Sequence, residues 1–303
     1  MVGHPARPVV RTTPLALLWT APALGLYGLF ALLPLVVAVY LSCVRWNGLG
    51  QMVWTGAGNW QSLLTDGVAL HAILLSLEMM VLTWVIETPL SLLLGVFMAG
   101  EQRYRSVLSV FYFVPLLFST VALGITWVSL LDPNFGVVDT LLRALGLGAL
   151  AQGWLGNADL AFPVVVLLIA WQFIPFHALL YQAGTRQIPR ELYEAATIDG
   201  ATRWGSFFSI TLPQLRYTLI TSSTLMLTGS LTYFDIIWVT TGGGPGYATR
   251  VLPLHMYITA FQSEQIGYGS ALAVVLIVIG VALSLILLRA TRFTQMASQL
   301  DGI

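Results

Sequence analysis

The 303-residue chain is predicted to be all-α and polytopic in a membrane, with about six transmembrane helices and a cytoplasmic helical element between spans four and five. Three observations predict this. Hydrophobic residues make up 57% of the chain and charged residues 9%, whereas soluble domains carry about a quarter charged residues. A water-soluble globule of this composition would have to bury nearly all of itself. Apolar stretches of roughly 20 residues, the length that crosses a ~30 Å hydrocarbon core, recur along the chain. Arginine is distributed unevenly among the segments that join them, as the positive-inside bias requires.

Six stretches qualify as spans, at about 15–44, 70–99, 106–131, 161–183, 217–240 and 269–289. Polar or Gly/Pro-rich sequences separate them, among them "RWNGLGQ", "LLDPNFG" and "TTGGGPGYATR". The first stretch, around Cys43, is too apolar for too long to be a signal-peptide core and reads as a retained span. With the N-terminus in the cytoplasm, ten arginines fall inside (7, 11, 103, 105, 186, 190, 203, 216, 289 and 292) and three outside (45, 143 and 250). Both termini then face the cytoplasm. The outer segment at about 132–160 contains "FGVVDTLLRALGLG", whose apolar spacing suits either a short interfacial helix or an ordinary loop.

Residue types exclude several functions. The basic residues are all arginine, with no lysine, so a Walker A phosphate loop and Schiff-base chemistry are both ruled out. One cysteine, Cys43, allows no intrachain disulfide and no multi-cysteine metal site. His71, His177 and His255 are too dispersed for a metal set. A formal net charge of zero gives no basic patch for nucleic acid. No catalytic residue and no metal ligand is assigned.

The segment "PRELYEAATIDGATRWGSFFSITLP" between spans four and five reads as a helix, a break and a second helix. Pro189 suits a helix start, and Glu191 and Glu194 sit where carboxylates favour the helix dipole. Ala195 and Ala196 are small enough to let another surface approach, and Gly200 permits the bend. Trp204, Phe207, Phe208 and Ile210 form the greasy side of the second helix. The residues alone fit a docking knob or a connecting loop held against the membrane. Arg203 reads as a contact to lipid headgroups.

The order Glu194-Ala195-Ala196, three residues, Gly200, nine residues, Ile210, one residue, Leu212-Pro213 resembles the EAA loop of ABC importer permeases. "WQFIPFHALLYQAGTRQIPRELYEAATIDGA" before it, and "DIIWVTTGGGPGYAT" and "MYITAFQSEQIGYGSALAVVL" after it, extend the likeness from about residue 15 to 290, toward the carbohydrate-uptake branch. The resemblance implies a type I transmembrane domain at 15–290 with its EAA loop at 189–213, between cytoplasmic tails at 1–14 and 291–303. It implies a coupling helix in which Glu194, Ala195, Ala196, Asp199 and Gly200 meet a cytoplasmic ATPase. It implies further partners: a second homologous permease, two copies of the ATPase that bind ATP and Mg, and an extracytoplasmic solute-binding protein. The chain itself would carry no cofactor. The implied setting is a bacterial plasma membrane, and the implied cargo a disaccharide or oligosaccharide, with glycerol-phosphate esters as the alternative. Gly242, Gly243, Gly244 and Pro245 would then lie at the binding-protein surface; a plain turn is the other reading.

Within the fifth span, Thr218, Thr221, Thr228, Thr232 and Asp235 fall on one arc of roughly 100° at about 100° per residue. Such hydroxyls either line a path for a sugar or bond back to their own helix. Trp171 and Gln172, beside Pro175, form an aromatic–amide pair that suits either a sugar or core packing. Tyr233, Phe234 and Trp238 suit the pathway or the membrane interface. Glu78 and Glu87 are nine residues apart, on opposite sides of an ideal helix, and so cannot face one cavity. A secondary transporter would need midplane ion-coupling groups and usually internal repeats, and a membrane enzyme would need a nucleophile–base pair; neither pattern is present.

Overall fold

The structure, a computed structural model, describes residues 14–100 and 102–291. Nearly all of the two expected tails, with Arg7, Arg11 and Arg292, lies outside the described residues. The chain opens with α1 (Pro14–Tyr27), which runs through a π-helical turn (Gly28–Leu32) into α2 (Leu33–Leu41). A two-residue antiparallel ribbon pairs β1 (Val44–Arg45) with β2 (Val53–Trp54). There follow α3 (Gly58–Thr65), α4 (Gly67–Met98), α5 (Arg103–Leu117), α6 (Thr120–Leu130), α7 (Val137–Ala144) and α8 (Ala158–Arg186). The second half holds α9 (Arg190–Ile198), α10 (Arg203–Ser206), α11 (Leu212–Gln214), α12 (Arg216–Ser230), α13 (Asp235–Thr240), α14 (Leu252–Tyr257) and α15 (Ile266–Thr291).

Four helical stretches among the described residues are long and apolar enough to cross a membrane: Trp19–Leu41, Gly67–Met98, Ala158–Arg186 and Ile266–Ala290. They correspond to expected spans one, two, four and six. The third expected span is a bent pair, α5 and α6, with 98° between them. Counting that pair makes five, so by this measure the expected six is not reached.

The fifth expected span departs furthest from the sequence reading. Its helix α12 is 15 residues long, about 22 Å at 1.5 Å per residue, and ends at Ser230. The amides of Thr232 and Tyr233 turn back to the carbonyls of Gly229 and Ser230 (3.0 and 3.4 Å). The hydroxyls of Ser230 and Thr232 take the Leu227 and Gly229 carbonyls at 2.8 and 2.7 Å. Side chains that bond locally to carbonyls favour a stop over a further turn. The chain restarts at α13, so the single arc expected for Thr218, Thr221, Thr228, Thr232 and Asp235 is not formed.

The core lies between α4 and α8. Leu75 and Met79 of α4 pack with Val165, Val166 and Ile169 of α8, and Ile236 and Ile237 of α13 close the cluster. The close approach has a local cause: a Cβ on Gly95 would lie 2.5 Å from the Ala178 carbonyl oxygen and 2.7 Å from the Tyr181 Cβ. Asp66 caps α4 by accepting from the amides of Val68 and Ala69 at 2.9 and 3.2 Å and from the Tyr268 hydroxyl at 2.8 Å. The short helix expected within 132–160 is present as α7, and its Asp139 accepts from the Trp154 indole at 2.7 Å.

Candidate functional site

The loop between α8 and α12 is a helix with a built stop. The amide of Gly200 bonds the Thr197 carbonyl at 3.1 Å and that of Ala201 bonds the Ala196 carbonyl at 2.8 Å. This crossed pair of bonds is a Schellman cap, which needs a left-handed residue, and Gly200 supplies it at φ 76°. Thr202 then caps α10 by accepting from the Gly205 amide at 3.1 Å.

One face of the loop is anchored. The Tyr193 and Thr211 hydroxyls bond at 2.9 Å, and Tyr193, Phe207, Ile210 and Leu212 pack on a cluster built from Leu92, Tyr181, Ile188 and Leu215. The other face is open: Glu194, Ala195, Asp199 and Gly200 are exposed and Ala196 is half-buried. Ile198, a large apolar side chain, is 86% exposed. The structure thus brings all five sequence-selected residues onto one short, capped helix end. That end stands on the ends of α4, α8 and α12.

A cavity of about 430 Å³ lies between α8, α12 and the break before α13. Phe173, Phe176 and His177 of α8 line it, with Met226 and Gly229 of α12, then Thr232, Tyr233 and Asp235. Phe173 and Tyr233 stack at 5.5 Å with 28° between their planes. Three of the selected pathway residues, Thr232, Tyr233 and Asp235, therefore meet here, the last two as a consequence of the helix break.

Three others do not. Thr228 is outside the lining, and its hydroxyl bonds the Thr224 carbonyl of its own helix at 2.7 Å. Trp171 meets Trp127 edge-on at 5.3 Å and borders a separate, apolar cavity of about 310 Å³ with Trp154. Gln172 is buried and donates to Thr120 Oγ1 at 2.9 Å, so it steadies one lining residue from behind. Successive residues on a helix point about 100° apart, which is why this pair cannot act on one ligand from one side. Thr218 faces α8, where a Cβ on Gly184 would lie 2.9 Å from its hydroxyl.

The residue that sequence reasoning missed is His177. Its Nδ1 lies 2.9 Å from Ser222 Oγ, and its Nε2 lies 4.0 Å from Glu87 Oε2. Glu87 is wholly buried, and neither carboxylate oxygen has a hydrogen-bond partner among the described residues. Glu78 is exposed, so the two acids do lie on different faces of α4. The signal for His177 was available: Phe173, Phe176 and His177 stand at i, i+3 and i+4, one face of a helix.

The loop after α13 folds onto itself. Thr249 Oγ1 bonds the Gly244 carbonyl at 2.9 Å and lies 2.7 Å from Thr241 Oγ1. Gly243 is buried at φ 90°, with Leu254 and Arg250 at contact distance from where a Cβ would stand. Gly242, Gly244 and Pro245 are half-buried, and Gly246 and Tyr247 form the exposed tip.

Comparison with known proteins matches these features to one family. Residues 91–293 fit the family described as "Binding-protein-dependent transport system inner membrane component". A probable ABC transporter permease protein of Pyrococcus horikoshii is 33% identical, over 90% of this chain and 94% of its own. A trehalose/maltose transport system permease protein of Thermococcus litoralis is 30% identical, over 94% of this chain and 96% of its own. Among solved structures, a bacterial ABC transporter involved in import of the acidic polysaccharide alginate superposes with a TM-score of 0.80 at 23% identity. That match covers 92% of this chain and 95% of the other. The chain belongs to the family of binding-protein-dependent transport system inner membrane components, the permease subunits of ABC importers.

Proposed function

We propose that this permease forms half of the translocation pathway for a disaccharide or oligosaccharide delivered by an extracytoplasmic binding protein. Relatives named for starch degradation products, trehalose/maltose, diacetylchitobiose and lactose support the sugar class. The cavity supports it independently. Stacked rings at Phe173 and Tyr233 suit the apolar face of a pyranose, and Thr232, Tyr233, Asp235 and His177 offer partners to its hydroxyls. Among the described residues the lining contains a carboxylate and no Arg, which argues against the phosphate of a glycerol-phosphate ester.

The observation that carries the mechanism is mechanical. The exposed α9 helix is anchored to the ends of α8 and α12, the two helices that wall the cavity. In this reading the membrane is a bacterial plasma membrane, both termini and α9 are cytoplasmic, and Glu194, Ala195, Ala196, Asp199 and Gly200 seat on a partner ATPase. Two such ATPases bind ATP and Mg and close on each other, and a second permease completes the pathway. Closure would tilt α8 and α12 as rigid bodies and re-aim the cavity. The loaded binding protein, touching the loop at Gly242, Gly243, Gly244 and Pro245, biases the outward state only by binding it better than the inward one.

The test is ATP-driven uptake by the whole complex in liposomes. Glu194→Lys is expected to abolish uptake with membrane insertion intact, and Asp235→Asn or Phe173→Ala to raise the half-saturating sugar concentration. Normal transport by the first variant overturns the coupling assignment. Unchanged saturation in the other two overturns the cavity assignment, and accumulation of sugar by this chain alone overturns both.

A further inference from the structure

The largest cavity described is at the opposite end of the site, beneath the coupling loop, and transport has no evident use for it. Its volume is about 870 Å³, and it lies between the ends of α4 and α8, the start of α5 and the α9–α10 loop. Four arginines line it, Arg105, Arg186, Arg190 and Arg203, with no Asp or Glu in the described lining. Arg190 has a contact of its own, so the argument rests on the other three. The Arg105 guanidinium is held by the Phe97 carbonyl and lies 4.6 Å from the centre of the Phe97 ring. It is therefore oriented and not free to sweep through water.

The rim is apolar. Trp204 and Phe208 are 65% and 60% exposed, stacked at 6.3 Å, and sit on the same short segment as Arg203. Helix α5, which brings Arg105, exposes Val107, Val110 and Phe111. Aromatic side chains of this kind settle at headgroup level. Guanidinium forks match phosphate oxygens in pairs, and basic pockets between transmembrane helices on the cytoplasmic side suit acidic headgroups. A cationic hollow on segments that also expose apolar side chains fits an amphiphile with an anionic head.

We propose that this cavity is a binding site for the phosphate of an acidic phospholipid, seated between α5 and the coupling loop and gripped by Arg105, Arg186 and Arg203. A bound lipid would brace α9 from the membrane side. The inference rests on the cytoplasmic placement of this loop proposed above.

The test uses the complex purified in mild detergent, stripped of lipid, and titrated by native mass spectrometry with phosphatidylglycerol and with phosphatidylcholine. The native complex is expected to favour phosphatidylglycerol by about a hundredfold, from roughly fivefold for each of the three arginines. Arg186→Gln with Arg203→Gln leaves Arg105 and should bring that preference down to about fivefold. Arg186→Lys with Arg203→Lys keeps the charge and should retain part of it, and a monodisperse elution profile shows that each pair folds. Equal binding of both lipids by the native complex overturns the proposal. Displacement of phosphatidylglycerol by millimolar inorganic phosphate would reassign the site to a free anion and overturns the lipid source. Loss of the ATPase from the double Gln variant with lipid preference intact shows that the arginines face the motor, and overturns it too. Placement is tested separately by Thr197→Cys in a Cys43→Ser chain. Labelling by an impermeant maleimide on intact cells would sink the cytoplasmic reading without touching the lipid preference.

Discussion

Gly200 offers the sharpest test of how the loop works, because its contribution is almost purely conformational. It holds φ at 76°, and an added Cβ would meet nothing within 4 Å. Alanine therefore clashes with no neighbour and is penalised only by the left-handed backbone, about 1–2 kcal/mol. Asparagine tolerates that region better and should recover part of the loss. Proline is worse than either. It fixes φ near about −65°, removes the amide that bonds Thr197, and should cost about 3 kcal/mol or more. The assay is hydrogen exchange at the Ala201 amide, which bonds the Ala196 carbonyl at 2.8 Å, paired with ATP-driven uptake. Exchange should quicken about 5–30-fold in Gly200→Ala, less in Gly200→Asn, and uptake should fail in Gly200→Pro. Exchange in Gly200→Ala indistinguishable from native would refute the claim that the cap holds the helix end.

Gly95→Val should lower the melting temperature by overpacking α4 on α8, at about 1–3 kcal/mol, because its Cβ would lie 2.5 Å from the Ala178 carbonyl oxygen; circular dichroism melts check this. Trp154→Phe removes the only donor described for the buried Asp139, whose Oδ2 already has none, and should lose about 1–3 kcal/mol in the same assay. His255 is buried 3.9 Å from Asp66. Burial pushes its pKa below the free value of 6.5, with Asp66 opposing and Arg250 assisting. The unfolded chain then takes up the proton first, so stability should fall as pH drops below 6.5. Burial also opposes the ionisation of Asp66, but donors from Tyr268, Ala69 and Val68 hold its pKa below the usual carboxylate range, so it stays charged across that window. His255→Gln should flatten the loss, measured as melting temperature between about pH 7 and 5.

The local structure of the loop between α8 and α12 was legible because its signals are local. Pro189, the alanine pair and Gly200 each act within one turn of chain, and each stands where spacing put it. Long apolar helices were legible for the same reason, since length and composition suffice. The fifth expected span was not. Whether Ser230 and Thr232 extend a helix or end it depends on which carbonyls their hydroxyls reach, and hydropathy is blind to that choice. Trp171 and Gln172 were chosen for chemical type without knowing the rotational setting of α8. The neighbouring face at Phe173, Phe176 and His177 is the one turned to the cavity. Glu87 was recognised as separate from Glu78, but its place behind His177 depends on how α4 crosses α8.

Helix α8 carries both ends of the working part: its cavity wall ends at His177 and its last residue is Arg186. Nine residues separate them, about 14 Å and two and a half turns of unbroken helix. On the proposed coupling, wall and drive share one screw. Exchanging side chains on the wall leaves their phase untouched, so on that reading cargo can diversify while the drive stays as it is. Inserting or deleting a single residue in that stretch would swing the wall by about 100° relative to α9, and the proposed stroke would then push in the wrong direction.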